Sequence, residues 1–204
     1  MKLNIFAVAG IVFVVAGCAT MSEQEVASKA LEVMKASFNE RGQAKLDRLD
    51  QDDAQRLCSK PPSVEISKES GELIEKANLA SIKYPADGKM LGDWREGEKI
   101  AQSGVGKQYS DDPKAPVGGN CYACHQLTKA EISFGTMGPS LYNYGKLRGN
   151  SDLIQRYTWG KIWNAQAFTA CSIMPRFGHN GILTEQQLRH VAALLLDPDS
   201  PVNK

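Results

Sequence analysis

A chain of 204 residues, 42% hydrophobic and 23% charged, has ordinary globular composition and room for one domain plus an appendage. Its 24 lysines and arginines balance 23 aspartates and glutamates, which excludes a large single-sign field holding nucleic acid or an anionic membrane by charge alone.

Met1-Lys2 and the apolar run from Leu3 to Ala16 have the charged start and short hydrophobic stretch of an export signal. That run is short for a membrane span. It ends in Val15-Ala16-Gly17-Cys18, the form of a bacterial lipobox, so residues 1–17 read as a lipoprotein-type signal peptide and Cys18 as the lipid-bearing first residue of the mature chain. The alternative is ordinary cleavage nearby, after Ala19, giving an unanchored periplasmic protein. Either route places the chain in the oxidising periplasm, where Cys58, Cys121, Cys124 and Cys171 are expected to be engaged rather than free.

Residues 18–83 read as a helical extension. From Ser22 to about Glu40, Ala27, Leu31, Met34 and Phe38 recur at helical spacing and predict an amphipathic helix. Leu46, Leu49, Ala54 and Leu57 predict a second, ending near Cys58 before Pro61-Pro62, and a weaker third runs from about Ser70 to Ile82. Tyr84-Pro85-Ala86-Asp87-Gly88 is rich in turn formers and marks the expected domain boundary, with residues 84–204 as the second domain.

In that domain Asp93 and Glu96 have capping-box spacing for a helix to about Ser103. Ser151 can cap a helix bearing Leu153, Ile154, Tyr157 and Trp163, and Thr184 with Gln187 can cap the last, Glu185 to Leu196. Nothing reads as a strand series, so the expected class is all-α.

Between these helices lies Cys121-Tyr122-Ala123-Cys124-His125. Cys-x-x-Cys-His supplies two thiols for thioether bonds to one haem and an imidazole for its iron. Zinc would need further ligands, and no second cysteine pair or histidine cluster supplies them. A thioredoxin-like dithiol would sit in a strand-helix unit, which is absent from the pattern.

An electron-transfer haem needs a second axial ligand, for which Met174 in Met174-Pro175-Arg176-Phe177 is the candidate, the proline stiffening its loop. Met137 is the rival, and His179 and His190 read as structural. With two cysteines given to haem and Cys18 to lipid, Cys58 and Cys171 remain, and the simplest closure is a disulfide between them. The alternative leaves Cys171 as a redox-active thiol or alternative iron ligand.

The order of helix, Cys-x-x-Cys-His, Gly138-Pro139-Ser140-Leu141, Met174-Pro175 and C-terminal helix resembles a class I cytochrome c over about residues 90–199. The resemblance implies an all-helical fold around one haem. In that family the proline carbonyl accepts a hydrogen bond from the proximal histidine, which would give Pro139 a tuning role, and the first and last helices cross at a small residue, here Gly97 against Ala192 or Ala193.

Tyr84 through Trp94, Gly119 through His125, Met174 through Thr184, and Asp197-Pro-Asp-Ser-Pro201 are more specifically similar to SoxX, the small cytochrome subunits of bacterial thiosulfate-oxidising SoxAX complexes. Ser37 through Leu46 with Cys58 resembles the longer form of that subunit, whereas the lipobox departs from a mainly soluble family. The resemblance implies a heterodimer with a SoxA-like cytochrome that joins thiosulfate to a cysteine on a SoxYZ-like carrier. This chain would accept the released electrons and pass them to a downstream acceptor, without catalysing the conjugation alone. The runner-up function is a stand-alone, lipid-tethered electron-carrier cytochrome c.

Overall fold

Seven helices are present among residues 21–59 and 65–204, which the computed structural model describes. The expected signal at 1–17, Cys18 and Pro61-Pro62 lie outside the described residues. The helices are α1 (Glu23–Ser37), α2 (Asp53–Cys58), α3 (Lys68–Ala80), α4 (Trp94–Gln102), α5 (Tyr144–Arg148), α6 (Asp152–Trp163) and α7 (Glu185–Leu196). Among the described residues the only β pairing is an isolated bridge between Arg41 and Ala44, so the chain is all-α as its periodicity predicts.

Helix α1 starts at a full capping box, the Ser22 hydroxyl accepting the Glu25 N–H while the Glu25 carboxylate accepts the Ser22 N–H. None of its residues is buried, and Val26, Leu31 and Val33 are exposed. It belongs to a compact unit ending at Asn39, whereas Glu40 to Lys204 forms another. The boundary expected at residue 84 therefore falls near residue 40, and residues 40–83 share a unit with the C-terminal helices.

The reason is a set of polar ties across that expected boundary. Asn164 donates to Asn78 Oδ1 at 2.7 Å, and Trp159 Nε1 donates to the Lys83 carbonyl at 2.9 Å. Ile74 of α3 is 3% exposed, so this helix has a side in the core. The predicted second helix is split into a 3₁₀ turn at Leu46–Leu49 and α2, because Asp52 accepts the Gln55 N–H and starts a new helix. Helix α3 starts earlier than expected because Ser67, accepting the Ser70 N–H, is its cap.

The second unit centres on the crossing of α4 and α7. A Cβ at Gly97 would stand 2.1 Å from the His190 carbonyl oxygen and 3.0 Å from Leu194 Cβ, so only glycine lets these backbones touch. The nearest atoms belong to His190 and Leu194, and the expected Ala193, three residues after His190, shares their face of α7. The Asp93–Glu96 capping box also fails to close. Asp93 accepts the Arg95 N–H, but its own N–H donates to His190 Nδ1 at 2.9 Å, while Glu96 pairs with Lys99. A bond between residues far apart in sequence thus replaces a local one.

Helix α7 has the capping box expected of Thr184 and Gln187 and buries Leu188 and Val191 through Leu196. These side chains join Trp159, Ile162, Leu127, Phe177 and Val202 in one core. Burying each large apolar side chain contributes about 1.5–3 kcal/mol, which makes α7 the main buried scaffold. Ser151 precedes α6 but makes no side-chain cap bond.

Candidate haem-attachment site

Residues 121–125 fold as one tight turn. Asn120 takes the left-handed conformation (φ 47°) that turns the chain into the 3₁₀ segment Cys121–Ala123, and the Cys124 and His125 N–H groups both donate to the Cys121 carbonyl. Tyr122, between the cysteines, is 7% exposed and roots the turn in the core. Cys121, Cys124 and His125 are half-buried, and the two cysteines are not bonded to each other.

A second segment runs alongside and fixes the imidazole. The N–H groups of Gly135, Gly138 and Leu141 donate to the carbonyls of Tyr122, Cys124 and Gln126, each at 2.8 Å. This register brings the Pro139 carbonyl 2.7 Å from His125 Nδ1. Because a carbonyl only accepts, Nδ1 carries the proton and Nε2 presents its lone pair. A Cβ at Gly138 would lie 2.1 Å from His125 Cε1, so glycine is required for the approach. Burial pushes the Cys121 thiol up to about 12, the opposite of the low value a reactive redox dithiol needs.

Met174 is half-buried and packs against the core, whereas Met137 is 68% exposed and sits one residue from the segment already committed to His125. His190 is held by the Asp93 N–H and Gln186, and His179 lies 3.2 Å from Ser81 Oγ. Burial and the nearby Arg176 push the His179 pKa down, partly offset by Asp52. Both histidines therefore have structural neighbours. Among the described residues no group of three or more His, Cys, Asp or Glu side chains is gathered as a metal cage.

Cys58 is bonded to Cys171, with Cα atoms 5.4 Å apart across a sequence separation of 113. The pair reached by counting cysteines is formed, and Cys171 is not a free thiol.

Whether these residues suit a haem is tested by an orphaned polar atom. Trp163 Nε1 is buried with no acceptor. Its ring lies under the Met174 loop, since a Cβ at Gly178 would stand 2.4 Å from it and the Trp163 carbonyl accepts the N–H groups of Gly178 and His179. An enclosed N–H costs about 1–3 kcal/mol unless paired, and a carboxylate-bearing group beside it would supply the acceptor. The donor set of two thiols, an imidazole with a free Nε2 and a thioether likewise fits a haem. The sequence offered Trp163 only as a helix residue, because an unpaired N–H has no sequence signature.

The class defined by fold and site is an all-helical protein built around a Cys-x-x-Cys-His turn with a disulfide-bonded methionine loop. No family model matches the chain. It is 40% identical over 163 residues to an uncharacterized lipoprotein of Aquifex aeolicus (strain VF5), an overlap covering 76% of this chain and 73% of the relative. The chain belongs to the family of that protein.

Proposed function

We propose that this chain is an exported monohaem cytochrome c of class I fold that works as the SoxX-type subunit of a thiosulfate-oxidising complex, anchored through a lipid on Cys18. The observation that carries the haem reading is the Cys121–His125 turn with its imidazole already oriented by the Pro139 carbonyl at 2.7 Å. The lipid anchor is supported by Val15-Ala16-Gly17-Cys18 and by kinship with a lipoprotein. Among the described residues no helix is long and apolar enough to cross a membrane.

In this reading Cys121 and Cys124 would hold the cofactor through thioethers, His125 and Met174 would ligate its iron, and Trp163 would donate to a propionate. A bound haem supplies reversible one-electron chemistry. His125 keeps its proton on Nδ1 and donates it to the Pro139 carbonyl, which strengthens imidazole donation and fixes the ring plane. No acid-base step is asked of this chain.

The SoxX assignment is supported by the segments around Tyr84–Trp94, Met174–Thr184 and Asp197–Pro201. The complex would form an S–S bond between a carrier cysteine and thiosulfate, the thiol losing its proton and two electrons leaving. This chain would take them one at a time. Exposed Ile132 and Met137 follow the haem turn and exposed Ile173 adjoins Met174, offering apolar side chains for close approach by a partner.

Co-purification of the tagged full chain tests the assignment. The expected result is a stable one-to-one complex with a second cytochrome. A consistently monomeric, partner-free protein would instead support the stand-alone lipid-tethered carrier.

A further inference from the structure

Helix α2 grips the Met174 loop from both of its own ends. Its last residue, Cys58, is bonded to Cys171, three positions before Met174. Its N-cap, Asp52, sits 2.6 Å from Arg176 Nη2, two positions after Met174. The Arg176 side chain is only 7% exposed, so its charge needs this partner, and removing one side of such a pair leaves an uncompensated charge. A third hold comes from α3, where Glu75 Oε1 accepts the Ala170 N–H at 3.0 Å. Cys171 itself lies in the left-handed region (φ 58°), a conformation unfavourable for a non-glycine residue that an untethered loop would relax.

A neutral thioether on a free loop must give up the backbone entropy of several residues before it can bind a metal. Two fastenings that bracket Met174 remove that cost from the binding step, because the loop is ordered beforehand.

We infer that α2 is a positioning clamp for the sixth iron ligand, with Asp52 and Cys58 as positioning residues that hold residues 171–176 so that Met174 is presented to the iron. The inference rests on the reading of Met174 as that ligand. It gives the N-terminal extension a task in tuning the haem, beyond covering the core.

The test uses the full-length haem-loaded protein and two kinds of variant. Asp52→Asn keeps the α2 cap, since asparagine caps as well as aspartate, and removes only the charge facing Arg176. The paired substitution Cys58→Ser with Cys171→Ser removes the covalent hold. Each is expected to weaken the methionine–iron absorption band and shift the reduction potential downward, the combination more than either. Val202→Ala, a core truncation outside the loop, should lower the melting temperature and leave both readouts in place. Hydrogen exchange on the haem-free chain gives a second measure, with faster exchange at the Met174 and Arg176 amides expected in the clamp variants.

Parental band, potential and exchange in the clamp variants, with the band lost in Met174→Ala, would overturn the clamp and keep the ligand. A band that survives Met174→Ala would overturn the ligand reading and the clamp with it.

Discussion

His125 can present a single nitrogen to a metal because two backbone features confine its ring, the Pro139 carbonyl on Nδ1 and the bare Cα of Gly138 against Cε1. Gly138→Ala would push a methyl group into the imidazole. It is expected to cost about 1–3 kcal/mol in stability and to lower the yield of haem-bearing protein, measured as haem per polypeptide. Trp163 behaves differently. Trp163→Phe deletes the orphaned N–H but also one of the two fused rings, so the haem-free chain should lose less stability than the haem-loaded protein, in which a bound propionate would lose its donor as well. Denaturant melts of both forms check this difference. Cys121, Cys124 and His125 were legible in the sequence because five consecutive residues carry their chemistry. Trp163 was not, because the absence of an acceptor depends on every element packed around it.

At the scale of elements, the crossing of α4 and α7 depends on Gly97. Gly97→Val places atoms on the His190 carbonyl and is expected to cost at least about 1–3 kcal/mol, seen as a lower melting temperature. The disulfide between Cys58 and Cys171 closes a loop with a sequence separation of 113, for which the chain-entropy model gives about 4–5 kcal/mol. Reducing it should lower the unfolding midpoint by a matching amount without loss of helical signal. Helix α7 was legible because Thr184 and Gln187 form a local box, and the disulfide because the chain left two cysteines unassigned. The Asp93 box failed because His190, 97 positions away, competes for the Asp93 N–H. The ion pair of Asp52 with Arg176 spans 124 positions and left no periodic trace. The expected boundary at residue 84 reads correctly as a turn, but Asn78, Lys83 and their partners in α6 and just beyond it bind across it.

Over the whole molecule, His179 and Asp52 shape the acid response, beside the exposed carboxylates of Glu25, Glu40 and Asp87, which their hydrogen bonds also hold low. His179 is pushed below 6.5 by burial and by Arg176, so the unfolded chain binds its proton first. Stability from this group is complete above about pH 6.5 and falls as pH drops through the lower folded value. Partial burial of Asp52 raises its pKa, but the Gln55 N–H and Arg176 outweigh it and hold the group below 3.8. Its contribution is lost only at more acidic pH. Denaturant unfolding should therefore show two separate losses, the first absent in His179→Gln. A lipid on Cys18 would govern location, and Cys18→Ser is expected to move the protein from the membrane fraction to the soluble periplasm.

The most direct measurement of the haem reading is the mass of the tryptic peptide spanning residues 115–129, from chain exported by cells that mature c-type cytochromes. One haem retained covalently on this peptide is the expected result, absent in Cys121→Ala with Cys124→Ala. An unmodified peptide with both thiols open to alkylation would contradict it.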